Sequence, residues 1–76
     1  MNEKNENVFR KLKYFFDNKI QVHIVEEDGT FHNGFLKDLV LDEGLVVIVD
    51  RKDGVNVIFA ESIVLSSIEE FKEVKR

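Results

Sequence analysis

The hydrophobic pattern is densest between Gly34 and Val49, and the rest of the chain is interpreted around this stretch. Its second half, Leu45 to Val49, is an uninterrupted aliphatic run that lies between Gly44 and Asp50. A short, mostly β-branched run between turn residues is typical of a strand that is buried on both faces. The pattern therefore predicts a strand at the centre of a small sheet or barrel.

A longer strand is predicted just before the central one, over Thr30 to Leu41. Its side chains alternate, so that Phe31 and Phe35 lie on one face and Leu36 on the other. Gly34 in the middle of this strand indicates a bend or a close approach of another backbone segment.

The first strand is predicted over Ile20 to Val25, where Ile20, Val22 and Ile24 alternate with polar residues and face the core. The Asp-Gly pair that ends Glu26 to Gly29 is typical of a hairpin turn, because glycine there adopts a positive φ. This strand and the long one are therefore expected to form a hairpin.

Two further strands are predicted after the central one. A second Asp-Gly turn, at Asp53 and Gly54, leads into a strand over Val55 to Phe59. A very short connection, Ala60 to Ser62, leads into a fifth strand over Ile63 to Ser66. Five short antiparallel strands are expected to close into a barrel, because closure leaves no exposed strand edges.

An amphipathic helix is predicted before the strands, over residues 8–18. Val8, Leu12, Phe15 and Phe16 recur at i, i+4, i+7 and i+8, which gives one apolar stripe. A helix of this length is not stable alone, so the stripe is expected to dock on the sheet.

The ends of the chain are less regular. Residues 1–6 are polar and are expected to be frayed, with Asn5 or Asn7 as the helix N-cap and Asn18 as a left-handed C-cap. The tail, residues 67–76, begins with a capping-box pattern that favours one or two helical turns, although an extension of the sheet is the alternative.

Length and composition limit the chain to one domain. The 76 residues contain no Cys, so no disulfide or thiolate metal site strengthens the fold, whereas the 43% hydrophobic content supports dense packing or self-association. No apolar run is long enough to span a membrane and no signal-peptide pattern is present, so a cytoplasmic protein without a membrane partner is expected.

The net charge of −4 does not favour non-specific binding of a polyanion, because phosphate contacts require Lys and Arg. A local basic patch is still present on the predicted helix, at Arg10, Lys11 and Lys13. This patch is the best candidate for phosphate contact, and the simpler interpretation is a solvated helix face.

Catalytic and metal-binding patterns are not evident. His23 and His32 fall on neighbouring strands and could be diagonal neighbours on one face, but no third ligand accompanies them, so ordinary surface histidines are expected. The carboxylates cluster at turns rather than in a cleft. No cofactor, metal or enzymatic activity is therefore expected.

The order of elements and two short motifs resemble the Sm-like (LSm/Hfq-type) superfamily, over about residues 8–67. Gly34, Leu36 and the strand from Leu45 match its first motif. In the second motif, the spacing from Ile58 to Ile63 is kept. Other motif positions are substituted: Val40, Glu43 and Gly44 replace Asp, Met and Asn, and Phe59 replaces a basic residue, whereas Ala60 and Ser62 match the Hfq form.

The resemblance implies a single Sm-like domain over residues 1–76. Its fold is mainly β, with an N-terminal α-helix followed, over 20–66, by a strongly bent five-stranded antiparallel SH3-like/Sm-like barrel. Members form rings of six or seven copies, in which strand four of one subunit pairs with strand five of the next, and they bind uridine-rich or adenine-rich RNA. A homo-oligomer, hexameric or heptameric, with RNA as a possible ligand is therefore expected.

Two sets of candidate residues follow from the patterns and the resemblance together. The residues for RNA are Arg10, Lys11, Lys13, Asp42, Glu43, Gly44, Phe59, Ala60 and Ser62. Those for the interface between subunits are Val55, Val57, Phe59, Ile63 and Leu65. Two alternatives remain: a ring-forming structural or protein-interaction module that does not bind RNA, and the related barrel that is an appended domain in ribosome-maturation factors.

Overall fold

The computed structural model describes residues 2–72 and contains an N-terminal helix followed by five antiparallel strands. The fold is mostly β, as predicted. The helix is α1 (Glu3–Asp17), and the strands are β1 (Val22–Val25), β2 (Phe31–Val40), β3 (Leu45–Asp50), β4 (Gly54–Phe59) and β5 (Glu69–Glu70). Three short 3-10 helices lie at Leu41–Glu43, Ala60–Ser62 and Leu65–Ser67.

The strands form one sheet in the order β4-β3-β2-β1-β5, with every neighbouring pair antiparallel. In the described part of the chain, β4 and β5 are the two edges and are not paired with each other. Helix α1 packs on one face of the sheet. Its buried residues are Val8, Phe9, Leu12 and Phe15, and they join the core strand residues Val22, Ile24, Val46, Ile48 and Ile58.

The close backbone approach predicted at Gly34 is confirmed. A Cβ atom at this position would lie 1.9 Å from the carbonyl oxygen of Val49, so only glycine fits between β2 and β3. A register shift between Leu36 and Asp38 adds a β-bulge two residues further along β2. Bulges increase local twist and bending, so this is a position at which the strand can bend.

The expectation that β3 is buried on both faces is wrong. Val46, Ile48 and Asp50 are buried, whereas Val49 is exposed and Leu45 and Val47 are half-buried. The reason is that α1 covers one face of the sheet, and no element of residues 2–72 forms a layer on the other face. An uninterrupted aliphatic run can therefore belong to a strand whose outer face remains open.

The N-terminal end of the helix differs from the expectation. Helix α1 begins at Glu3, so residues 3–6 are helical rather than frayed, and the N-cap is Asn2 rather than Asn5 or Asn7. The Asn2 side-chain oxygen accepts a hydrogen bond from the backbone N–H of Asn5 at 2.7 Å. A cap three residues earlier adds one helical turn, which the polar composition of this segment concealed.

The C-terminal end of the helix was also predicted incorrectly in one detail. Asn18 is the C-cap, but its φ of −99° and ψ of 2° are not left-handed. The next residue, Lys19, has the positive φ of 54°. The backbone N–H of Lys19 donates to Phe16 O and that of Ile20 to Phe15 O, so the left-handed position lies one residue later than predicted, although the helix itself ends at Asp17.

The fifth strand was predicted too early in the chain. The segment from Ile63 contributes only an isolated bridge to Glu26, and Leu65–Ser67 is a 3-10 helix. The Ser67 hydroxyl donates to the carbonyl oxygen of Val64 at 2.6 Å and accepts from the backbone N–H of Val25 at 3.0 Å. This serine therefore turns the chain instead of capping a helix.

The actual fifth strand lies in the tail. Glu69 and Glu70 pair with His23 and Val22 of β1, so the alternative of an extended sheet is observed up to this point and the predicted helical turns are not. Ile68, just before β5, is buried in the core. The remainder of the predicted tail, residues 73–76, lies outside the described residues.

Candidate functional site

Strand β4 is a six-residue sheet edge with an apolar surface. It pairs with β3 only, so within the described residues its other side has backbone groups that no strand satisfies. Three of its side chains point outward and are exposed: Val55 at 55%, Val57 at 60% and Phe59 at 65%. Exposed apolar side chains on an unpaired edge are a recognised template for strand addition.

The apolar surface continues from β4 across the outer face of the sheet. The register places Val49 opposite Val55, and Val47 opposite Val57, on the same face. Val49 also lies opposite Phe35 of β2, which is exposed. We call this surface the β4 face; its residues are Phe35, Val47, Val49, Val55, Val57 and Phe59. Contiguous exposed apolar patches of this kind usually mark contact sites.

The structure divides the residues predicted for the subunit interface. Val55, Val57 and Phe59 lie together on the β4 face. Ile63 is completely buried in the core and Leu65 is half-buried against it, so neither side chain lies on that face. The prediction for Ile63 is wrong because its strand does not form and its side chain fills the core under α1.

The second sheet edge has a different chemistry. Strand β5 has only two residues, Glu69 and Glu70, and both are exposed. The backbone N–H of Phe71, directly after β5, donates to the carbonyl oxygen of Gln21 at 2.9 Å, which holds the end of this short strand beside β1. The molecule therefore presents one long apolar edge and one short acidic edge.

The three basic residues of α1 do not form one patch. Arg10 and Lys13 line a groove of about 540 Å³ together with the apolar side chains of Phe16 and Leu41. Glu6 and Asp17 also line it. Lys13 Nζ lies 2.7 Å from the Asp17 carboxylate, whereas Lys11 Nζ lies 3.4 Å from Leu65 O and does not line the groove.

The two loops predicted for RNA contact do lie together. The backbone N–H of Ala60 donates to the carbonyl oxygen of Gly44 at 2.8 Å, which joins the turn after β2 to the turn after β4. Gly44 has a φ of +66°, which ends the 3-10 helix of Asp42 and Glu43.

The side chains at this junction do not favour a polyanion. Ala60 is completely buried, so its side chain is not accessible for the predicted contact with RNA, and Ser62 is half-buried. Three exposed carboxylates lie at this junction. Asp42 and Glu43 belong to the turn after β2, and Glu61 lies between Ala60 and Ser62 in the turn after β4. Only Phe59 presents an accessible ring here, and base stacking on it would take place beside negative charge.

The two histidines lie on opposite faces of the sheet, so they are not the diagonal neighbours that the sequence left possible. His23 is opposite Asn33, and its Nδ1 lies 2.5 Å from the Asn33 side-chain oxygen. His32 is opposite Ile24 on the inner face and is buried, so it is not a surface histidine. The alternation of β2 could have shown this, because His32 is in phase with inward-facing positions 34 and 36.

Sequence reasoning missed a buried polar cluster around His32. Its Nε2 lies 2.8 Å from Glu26 Oε2, and its Nδ1 lies 3.7 Å from Asp50 Oδ2. Asp50 also accepts hydrogen bonds from the backbone N–H groups of Lys52 at 2.7 Å and Asp53 at 3.3 Å. The cluster therefore connects the β1–β2 turn to the β3–β4 turn.

Two carboxylates in these turns have lowered pKa values. The backbone N–H of Lys52 is the largest cause for Asp50: it lowers the pKa of that carboxyl group against the opposing effect of burial. The backbone N–H of Thr30 is the largest cause for Asp28 and lowers its pKa in the same way. Hydrogen bonds to the ionised form keep both groups negatively charged.

No group of three or more His, Cys, Asp or Glu residues in 2–72 has an arrangement that could hold a metal ion. Across the same residues, no helix combines the length and the apolar character required to cross a membrane.

Comparisons with known proteins do not identify a relative. No family model matches this chain, and no significant match is found among curated proteins or among solved structures.

Proposed function

We propose that this chain is an Sm-like module whose function is to assemble with copies of itself into a closed ring of six or seven, with β4 as one contact edge. The observation that carries the proposal is the open β4 edge with its three exposed apolar side chains, Val55, Val57 and Phe59. A second strand on this edge would satisfy the free backbone groups and cover the side chains.

The order of the strands supports this assignment. With β4 and β5 at opposite ends of one sheet, β4 of one copy can continue into the β5 edge of the next. The repeat of such a head-to-tail contact closes into a ring when the rotation between copies is suitable. In the proposed assembly, the bent sheet of each copy has the shape of the Sm-like barrel.

Charge complementarity favours contact between unlike edges. Antiparallel pairing of the two edges sets the start of β4, which follows Arg51, Lys52 and Asp53, opposite the end of β5, which carries Glu69 and Glu70. Within one copy, Arg51 already lies 5.6 Å from the ring centroid of Phe71, directly after β5. Two β5 edges would instead bring four carboxylates together. Opposite charges at a contact select register and partner more than they add affinity.

A matched pair of variants tests the assembly edge. V57K places a charge in the middle of β4, whereas L41K makes the same kind of change at an exposed leucine, 50% accessible, that lies outside the β4 face. Loss of one buried valine contact weakens each interface by about 1.5–3 kcal/mol, or roughly 10- to 100-fold. Sedimentation velocity should show V57K dissociating at concentrations at which L41K and the unmodified chain remain assembled. Equal masses for all three would contradict the proposal.

RNA binding is the second candidate function, and the α1 groove is the observation that favours it. Arg10 and Lys13 lie beside Phe16 and Leu41, so cationic and apolar side chains line the same groove. In a ring this groove would be repeated on every subunit, so that several arginine and lysine side chains would lie on one face, each pair accompanied by the carboxylates of Glu6 and Asp17.

The structure also provides the control for an RNA-binding test. Fluorescence anisotropy with labelled uridine-rich and adenine-rich oligonucleotides should show that R10E/K13E weakens binding at least about tenfold, and that raised salt weakens it further. K11E changes a lysine that does not line the groove and should have a clearly smaller effect. Equal losses in both variants would remove the groove as the site. Absence of binding by the unmodified ring would leave the interaction-module function.

A further inference from the structure

An Asp-Gly pair is capable of an intramolecular reaction, and the two hairpin turns contain one pair each: Asp28–Gly29 and Asp53–Gly54. The backbone nitrogen of the glycine attacks the side-chain carboxyl carbon of the preceding aspartate and closes a five-membered succinimide ring. Glycine favours this step because it has no Cβ atom to obstruct the approach. An Asn-Gly pair reacts by the same route with loss of ammonia, and Asn33–Gly34 is of this kind. The local structure therefore decides which pair reacts.

The carboxylate of Asp28 is fixed within the β1–β2 turn. Its Oδ1 accepts a hydrogen bond from the backbone N–H of Thr30 at 2.9 Å, and this N–H is the largest cause of the lowered pKa of Asp28. Before the ring can close, the carboxyl group has to leave Thr30 and take up a proton, so that its oxygen departs as water. The hydrogen bond and the lowered pKa both oppose this step.

The sheet fixes Asn33 in the middle of β2. This residue is paired with His23 of β1, and its backbone carbonyl accepts from the N–H of Arg51 at 3.1 Å. Its side-chain oxygen contacts Nδ1 of the same histidine. Gly34 is confined in turn by the carbonyl oxygen of Val49. Ring closure would require this backbone to leave the strand conformation, so the fold protects the Asn-Gly pair.

Asp53 has none of these restraints. It is exposed in the β3–β4 turn, and its backbone N–H donates to Asp50 Oδ1 at 3.3 Å. Among residues 2–72, no hydrogen bond or ion pair holds its carboxylate. Space does not distinguish the two Asp-Gly pairs, since nothing lies within 4 Å of an added Cβ at Gly29 or Gly54. The difference between them is the freedom of the carboxylate.

We propose that Asp53 is a modification site, at which the folded chain converts its own Asp53–Gly54 linkage to isoaspartate. The Gly54 nitrogen forms a bond to Cγ of Asp53 and loses its proton, and the carboxyl OH leaves, so one water molecule is released. Water then adds to the main-chain carbonyl carbon of Asp53, and the bond from this carbon to nitrogen breaks. Gly54 remains attached through Cγ, and the chain regains its original mass.

The modification changes the start of the β4 edge. It adds one methylene group, Cβ of Asp53, to the main chain between Asp50 and Gly54, which are opposite each other in the β3–β4 register. The lengthened turn no longer fits this register, so the first residues of β4 lose their place beside β3. This consequence for assembly rests on the function proposed above, whereas the reaction itself does not.

Oxygen-18 labelling tests the reaction in the full chain. The protein is warmed at neutral pH in heavy-oxygen water, in which ring opening leaves one heavy oxygen at the modified residue. Cleavage after arginine then separates residues 11–51, with Asp28 and Asn33, from residues 52–76, with Asp53. Isoaspartate should form at Asp53 at least about fivefold faster than at Asp28, where a hydrogen bond has to break first. Asn33 should retain its amide. Equal rates at the two aspartates, or no reaction at Asp53, would overturn the proposal.

The chain unfolded in urea is the matched control, because neither turn exists there. The two aspartates should then react at similar rates. A difference that persists in urea would assign the selectivity to the neighbouring sequence and would contradict the structural explanation. D53E should abolish labelling of residues 52–76, because its ring would have six members and closes much more slowly, whereas D28E should leave this labelling unchanged.

Sedimentation velocity tests the consequence for β4. Isoaspartyl chains, separated from unmodified chains by chromatography, should dissociate at concentrations at which fresh protein and equally aged D53E remain assembled. Equal masses for all three would contradict the effect on the β4 edge. If fresh protein is a monomer, the proposed ring has failed, and the oxygen-18 result still decides whether Asp53 is the modification site.

Discussion

The two edges of the sheet differ in length, in polarity and in charge. β4 has six residues and exposes Val55, Val57 and Phe59, whereas β5 has two residues and exposes Glu69 and Glu70. Natural proteins protect open edges by making them short and charged. β5 follows that rule and β4 does not, which is why we propose β4 as the contact edge.

The contrast also favours a direction for assembly. Two β5 edges would repel each other, and a contact between two β4 edges would leave the acidic edge unused. A head-to-tail contact uses one edge of each kind and can close into a ring. The unlike edges therefore favour cyclic assembly over a two-fold dimer.

The largest effect is expected at the position that lets β2 and β3 meet. G34V would place side-chain atoms on the Val49 carbonyl oxygen, so it should cost at least about 3 kcal/mol or prevent folding. G29A is the comparison: nothing lies within 4 Å of an added Cβ, but the φ of +92° is unfavourable, so a loss of about 1–2 kcal/mol is expected. Urea unfolding measures both, and equal losses would show that the close approach is unimportant.

An intermediate effect is expected from charge reversal on the acidic edge. E69K/E70K should weaken assembly by about threefold to tenfold through loss of favourable charge across each contact, with less effect in high salt. E61K changes an exposed glutamate that is not in β5 and serves as the control. A normal mass distribution for E69K/E70K, together with dissociation of V57K, would indicate contact between two β4 edges instead.

The smallest effect is expected where Asp50 holds the turn before β4. Its pKa is lowered in the folded state, so its stabilising contribution is complete above the ordinary aspartate pKa of about 3.9 and is lost as the pH falls through the folded value. D50N should reduce the free energy of unfolding at pH 7 by about 1 kcal/mol and should flatten its decline in acid. In D53N the free energy of unfolding should still fall as the pH is lowered. A free energy of unfolding that falls as steeply in D50N as in the unmodified chain would contradict the role of Asp50.

Much of the fold could be predicted from the sequence because its determinants are local. The two Asp-Gly turns, the apolar stripe of the helix and Gly34 each depend on a few adjacent residues, and the structure confirms the elements that they predict. Within the stripe, Val8, Leu12 and Phe15 are buried as predicted, whereas Phe16 is only half-buried and Phe9 is buried instead. Alternation in β1 correctly placed Val22 and Ile24 in the core.

The errors occurred where distant contacts decide the structure. Ile63 enters the core and the chain turns at Ser67 because both residues contact the β1 region, through Glu26 and Val25 respectively. The burial of Ala60 likewise depends on the helix and on its bond to Gly44. The partners of His32 come from two separate turns, so no local pattern contained the cluster.

The most direct test is the mass of the unmodified protein in solution, measured by light scattering on a sizing column with absorbance at 260 and 280 nm. The proposed assembly predicts a mass six or seven times that of one chain of 8.9 kDa. The chain contains no Trp and one Tyr, so bound nucleic acid would be conspicuous at 260 nm. A ring with high absorbance at 260 nm would support RNA binding as well, and a clean ring would favour the interaction module. A monomer at all accessible concentrations would contradict the central claim.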